Sequence, residues 1–179
     1  VADDKNTTEI PSPVRTEAAA VSVSLFEDLV ATYLATDLGA LFAELKILAP
    51  NSSLAGLKLA SLAQWILESG RGGSQLARLH GNFGGLKFRP EMEGFATKVR
   101  FGAHDGEDDY CKFADLKAFI CGYWKFMTRS PYKGWPENSA SPEAYLAFIG
   151  PTYSTKPDYA LEVQRLLPEA RQLMKGQGE

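Results

Sequence analysis

Residues 64–87 read QWILESGRGGSQLARLHGNFGGLK, and this stretch decides how the rest of the chain is arranged. Counting back to Ser53, the run SLAGLKLASLAQWILES sets Leu54, Leu57, Leu62 and Ile66 at helical intervals, and Gly70 stands where a left-handed C-terminal cap belongs. Glu68 therefore falls in the last helical turn. The carbonyl end of a helix disfavours negative charge, so a carboxylate there is biased towards keeping its proton, the state a general acid requires. Gln64 lies one turn earlier and Ala60 one turn before that. With Leu57, Trp65 and Leu67 at its edges, this stripe of small residue, amide and acid has the composition of a cleft lining. Spacing alone serves equally well a solvated Glu68 paired with Arg71.

After the carboxylate, Ser74 can cap a short helix to Leu79 that Gly81 terminates. His80 at its end is read first as a helix-end histidine bonded to backbone carbonyls, and second as a donor to a ligand. Asn82, Phe83, Gly84 and Gly85 form a loop whose glycines allow the backbone to approach a ligand closely. Phosphate binding is a poor fit, because neither G-x-x-x-x-G-K-[ST] nor a strand before the glycines is present.

Upstream, residues 1–20 are rich in Asp, Asn, Thr and Pro without apolar periodicity, and read as an extended arm before a single domain over 21–179. Ser24 with Glu27 forms a capping box for a helix bearing Leu25, Phe26, Leu29, Val30, Tyr33 and Leu34. Asp37 caps a second, through Leu48, that closes at Pro50. Downstream the period changes. Thr97–Ala103 alternates, Asp105-Gly106 supplies a hairpin turn, and Tyr110–Phe113 returns. Asp115 caps the helix LKAFICGYWKFM. The loop SPYKGWPENS holds Tyr132 and Trp135 outside any helix, where aromatic faces can stack on sugar rings. Ser141-Pro142 opens a helix through Phe148, Tyr153 sits in the connection GPTYSTKP, and a last helix runs from about Asp158 to Met174.

The 179 residues and 45% hydrophobic content suit one compact core, and a net charge of −3 argues against a surface that tracks phosphates, so no nucleic-acid partner is expected. No apolar run is long enough to span a bilayer, and the polar, acidic start VADDKNTTEIPSPVRT is unlike a signal peptide. The acidic run Asp105, Glu107, Asp108 and Asp109 lacks calcium-loop order, and His80, His104, Cys111 and Cys121 lack zinc spacing, so no metal or other cofactor is expected. Cys111 and Cys121 are compatible with one disulfide or with two free thiols.

The segments ESGRGGSQLA and GNFGGLK, followed by CKFADLKAFICGYWKFMTRSPYKGW, resemble the glucosaminidase family, glycoside hydrolase family 73, over about Pro50 to Met174. The resemblance implies a mainly α (α+β) fold, with a lysozyme-like helical body and a small antiparallel β-hairpin lobe flanking a substrate groove. It implies an endo-β-N-acetylglucosaminidase that cuts between N-acetylglucosamine and N-acetylmuramic acid in peptidoglycan, with Glu68 as general acid. Gln64, Asn82, Phe83, Gly84, Tyr110, Trp135 and Tyr153 are then expected to bind substrate. A second family carboxylate on the lobe strand is missing, since Phe101, Gly102 and Ala103 stand there. Asp105, Glu107, Glu91 and Glu93 are substitutes. Alternatively the substrate's own acetamido group does the work, with Tyr132 and Tyr110 orienting it. Muramidase specificity and a non-catalytic wall-binding module are the competing readings. The resemblance further implies action at the cell wall or periplasm, as an autolysin or as an antibacterial effector with a cognate immunity protein occluding the groove.

Overall fold

The computed structural model describes residues 17–103 and 106–176. The helix quoted first is its axis. This helix, α3 (Leu54–Ser69), starts where Ser53 accepts a hydrogen bond from the Gly56 amide at 3.1 Å and stops at Gly70, whose φ of 54° closes the left-handed cap. It is buried on nearly every side by α1 (Glu17–Ala35), α5 (Leu116–Met127), α6 (Pro142–Tyr153), α7 (Tyr159–Gln164) and α8 (Leu167–Gly176). Trp65 on α3 packs edge-on against Phe119 and Tyr123 of α5, with ring centroids 4.8 and 5.1 Å apart, and against Tyr33 of α1 at 4.7 Å. The Tyr33 hydroxyl meets Ser61 and accepts from the Trp124 indole, whereas the Trp65 indole nitrogen is buried without a hydrogen-bond partner among the described residues.

α4 (Gln75–His80) follows from the Ser74 cap and ends at Gly81. β1 (Thr97–Ala103) and β2 (Gly106–Lys112) then pair antiparallel, from Thr97 opposite Lys112 to Ala103 opposite Gly106. Residues 104 and 105, which include Asp105 and the first turn position, lie outside the described residues. A mainly helical body carrying one two-stranded lobe is thus the architecture expected from the sequence.

Several boundaries differ from expectation. α1 already runs from Glu17, inside the stretch read as an extended arm, because Ala18–Ala20 are strong helix formers; Ser24 lies within the helix instead of capping it. The remainder of that stretch, residues 1–16, lies outside the described residues. α2 (Leu38–Glu44), capped by Asp37, stops short of Leu48. Lys46 takes a positive φ of 57° and the Ile47 amide reaches back to the Phe42 carbonyl at 2.8 Å, a Schellman-type closure without glycine. α6 continues past Phe148 and Pro151 to Tyr153. The last helix is broken into α7 and α8, and Pro168, second residue of α8, has no amide to donate back across the break.

Candidate functional site

Glu68 is half-buried at the end of α3, next to Gly85, which lines an open groove of about 340 Å³. Gly85 takes a φ of +62°, which favours glycine, and a Cβ there would lie 3.4 Å from Glu68 Oε2, in ordinary contact with the acid. The other carboxylate oxygen, Oε1, accepts a 2.6 Å hydrogen bond from the Tyr159 hydroxyl of α7. Burial raises the Glu68 carboxyl above its ordinary 4.5, while the Tyr159 hydroxyl and the Lys156 ammonium pull it down. Arg71 does not hold this acid. It forks onto Glu169 of α8 with two 2.6 Å bonds, which removes the ion-paired alternative for Glu68.

Behind Tyr159 runs a buried chain of polar groups. The Tyr159 oxygen accepts from Gln64 Nε2 at 3.1 Å, Gln64 Oε1 accepts from the Tyr123 hydroxyl at 2.6 Å, and Tyr123 meets Tyr145 at 2.8 Å. Gln64 is 0% exposed, so the stripe expected to line the cleft is closed over at Ala60 and Gln64 and opens only at Glu68. Gln64 therefore supports the acid's hydrogen-bond partner and touches no ligand. Tyr153 stacks on Tyr159 with centroids 5.8 Å apart and planes 8° from parallel, and its hydroxyl donates to the Gly84 carbonyl. This bond ties α6 to the glycine loop beside the carboxylate.

The groove extends from Gly85 and Leu86 past Lys87 and Arg89 to Arg129, Tyr132 and Thr152. Tyr132 and Tyr153 are in its wall, and burial pushes the Tyr132 hydroxyl up, with Arg129 opposing. Other expected ligand contacts are structural instead. Trp135 is 1% exposed, packed among Phe42, Trp124 and Tyr145, so it offers no face to a sugar. Phe83 is wholly buried against Phe26 and Phe119. Asn82 is a loop staple: Oδ1 accepts from the Leu86 amide, and Nδ2 donates to the carbonyls of Leu86 and Cys111. Gly84 contributes its carbonyl to Tyr153, and Tyr110 is buried on β2 with its ring edge-on to Phe101.

The described lobe carboxylates face cations or solvent. Glu107 faces Arg100 at 3.6 Å on the exposed hairpin, Glu91 faces Arg129 at 3.5 Å, Asp108 lies 3.2 Å from Lys87, and Glu93 is exposed after the 3-10 turn Pro90–Met92. His80 packs against Phe101 of the lobe, with Nδ1 buried and without a hydrogen bond among the described residues, contrary to the expected backbone satisfaction. Cys111 and Cys121 are free thiols, and burial pushes Cys111 up to about 12. Sequence reasoning missed Tyr159, Gly85 as the acid's neighbour, and the cations Lys87, Arg89 and Arg129. Tyr159 carries no local signal, being separated from Glu68 by 91 positions.

Two comparisons bear on this arrangement. The family model described as "Glucosaminidase: Mannosyl-glycoprotein endo-beta-N-acetylglucosaminidase" matches residues 56–172. The fold is similar to the crystal structure of the catalytic domain of the autolysin Auto from Listeria monocytogenes, with a TM-score of 0.53 and 20% identity over 93% of this chain and 90% of that one. No curated protein sequence matches.

Proposed function

We propose, for a chain that belongs to the glucosaminidase family and is a glycoside hydrolase, that it cuts the β-1,4 bond on the reducing side of N-acetylglucosamine in peptidoglycan, with Glu68 as general acid. The observation that carries the reading is a carboxyl raised above its ordinary value by burial, bonded on one oxygen by Tyr159 and with the other beside Gly85 of the groove wall. Glu68 gives its proton to the glycosidic oxygen as the anomeric carbon–oxygen bond breaks.

For the opposite face of the sugar we favour substrate assistance. The carbonyl oxygen of the 2-acetamido group bonds to the anomeric carbon, and water then opens the cyclic intermediate while returning a proton to Glu68. The pairing of Glu107 with Arg100 on the exposed hairpin supports this choice. Tyr132, in the groove wall, is the residue we assign to orient the acetamido group. Glu68→Gln should abolish cleavage, with a loss of at least about a thousandfold, since both the acid and the second step depend on it. Single replacements of Glu91, Glu93, Asp105 or Glu107 should leave cleavage largely intact. A lobe carboxylate as damaging as Glu68 would reject substrate assistance.

Reducing-end analysis of digested wall separates this specificity from muramidase action, and sacculi bound but never cut would favour a wall-binding module. Among the described residues no helix is long and apolar enough to cross a membrane. We place the site of action at the cell wall or periplasm. Lysis on periplasmic but not cytoplasmic expression would support an antibacterial effector, for which a groove-occluding immunity protein is the corresponding partner; lysis from neither would argue against it.

A further inference from the structure

Beyond the acid, the groove wall is cationic in a chain whose net charge is −3. Lys87 and Arg89 enter it from the glycine-loop side and Arg129 from the loop after α5. Two carboxylates, Asp108 and Glu91, face these three cations at 3.2 to 3.9 Å, and neither is part of the groove lining. Arg129 is the most enclosed of the three, with a side chain 14% exposed and its guanidinium 4.7 Å from the centre of the Phe126 ring. Stacking on Phe126 holds the guanidinium plane in place. Arg129 Nε is buried with no hydrogen bond among the described residues and has only the loose 3.5 Å approach of Glu91. An arginine so enclosed, pre-oriented and incompletely bonded is suited to a planar anion that accepts two parallel N–H bonds.

We propose that Arg129, assisted by Arg89, binds a carboxylate carried by the glycan whose neighbouring bond lies at Glu68. This rests on the peptidoglycan reading above and adds to it. The groove is continuous from Gly85, beside the acid, to Arg129, so the anion belongs to the same polymer as the bond that is cut. Peptidoglycan offers carboxylates of two kinds: those of the stem peptides, and the lactyl carboxylate freed when stems are removed. Neutral chitin offers none.

The test uses Glu68→Gln protein, which stays on the polymer without cutting it. Its binding to intact sacculi, amidase-stripped sacculi and chitin particles is measured by sedimentation. Adding Arg129→Gln should weaken binding to one or both wall polymers about tenfold relative to chitin, the loss of a charge-assisted hydrogen bond. Arg129→Lys should restore part of it, and Arg89→Gln should act in the same direction. A loss confined to intact sacculi assigns the stem carboxylates, and one confined to stripped sacculi assigns the lactyl group. Binding that falls equally on all three polymers, or on none, overturns the inference. Thermal melts of each variant separate misfolding from lost recognition. Failure of the enzyme with Glu68 intact to cut any wall glycan overturns the glycosidase reading instead, and this proposal with it.

Discussion

Tyr159 gives its proton to the hydrogen bond on Glu68 and thereby opposes what burial does to the same carboxyl. Removing the hydroxyl takes away an interaction that favours the charged form, so in Tyr159→Phe the Glu68 pKa moves further up. A general acid works below its pKa, so the alkaline limb of the pH–rate profile should move to higher pH. Turnover at the optimum should fall, because the carboxyl loses the bond that aims it. The same substitution strands Gln64 Nε2 in the interior, at a cost of about 1–3 kcal/mol that a thermal melt will register. A limb that stays in place or moves down would show that the hydroxyl does not act on the ionisation governing the rate. Glu68 itself was readable from the sequence because a helix end is a local signal, written in Ser53, the apolar spacing and Gly70. Gln64 was misread for a related reason. Its helical spacing was read correctly, but the burial that turns an amide from ligand contact to internal strut comes from Tyr123 and Tyr159, which that spacing does not encode.

Helix starts were the most readable features, because Asp37, Ser53, Ser74, Asp115 and Ser141 each accept a hydrogen bond from an amide three residues on. Helix ends without glycine were not, as at Lys46 and at the break before Leu167. α5 shows a further constraint that the pattern of apolar residues hides. A Cβ on Gly122 would lie 2.2 Å from the ring of Phe113, which is itself buried against Phe119 at the junction of β2 and α5. Glycine in a helix is a small local penalty, but here it admits the ring that anchors the lobe to the body. Gly122→Ala should therefore destabilise the protein by about 1–3 kcal/mol despite alanine's better helix propensity. Chemical denaturation measures this, and an unchanged or raised midpoint would show that the ring has somewhere to go.

That the fold is a helical body with one hairpin was evident from the change of period near residue 97 and from the resemblance in residues 68–87. The interior was harder to read, because periodicity tells which residues are apolar but not which aromatic is enclosed by which neighbour. Trp135, on a loop bounded by proline and glycine, has every local mark of an exposed platform and is instead covered by α2, α5 and α6 through Phe42, Trp124 and Tyr145. With it, all three tryptophans of the chain are shut away, at 0, 0 and 1% exposure for Trp65, Trp124 and Trp135. Their fluorescence is consequently a gauge of integrity and not of occupancy. Emission should start at short wavelength, resist acrylamide quenching, shift to the red in one step with denaturant, and stay unmoved when saturating wall fragments are added. A ligand-induced shift would mean that an indole meets the solvent or the sugar after all.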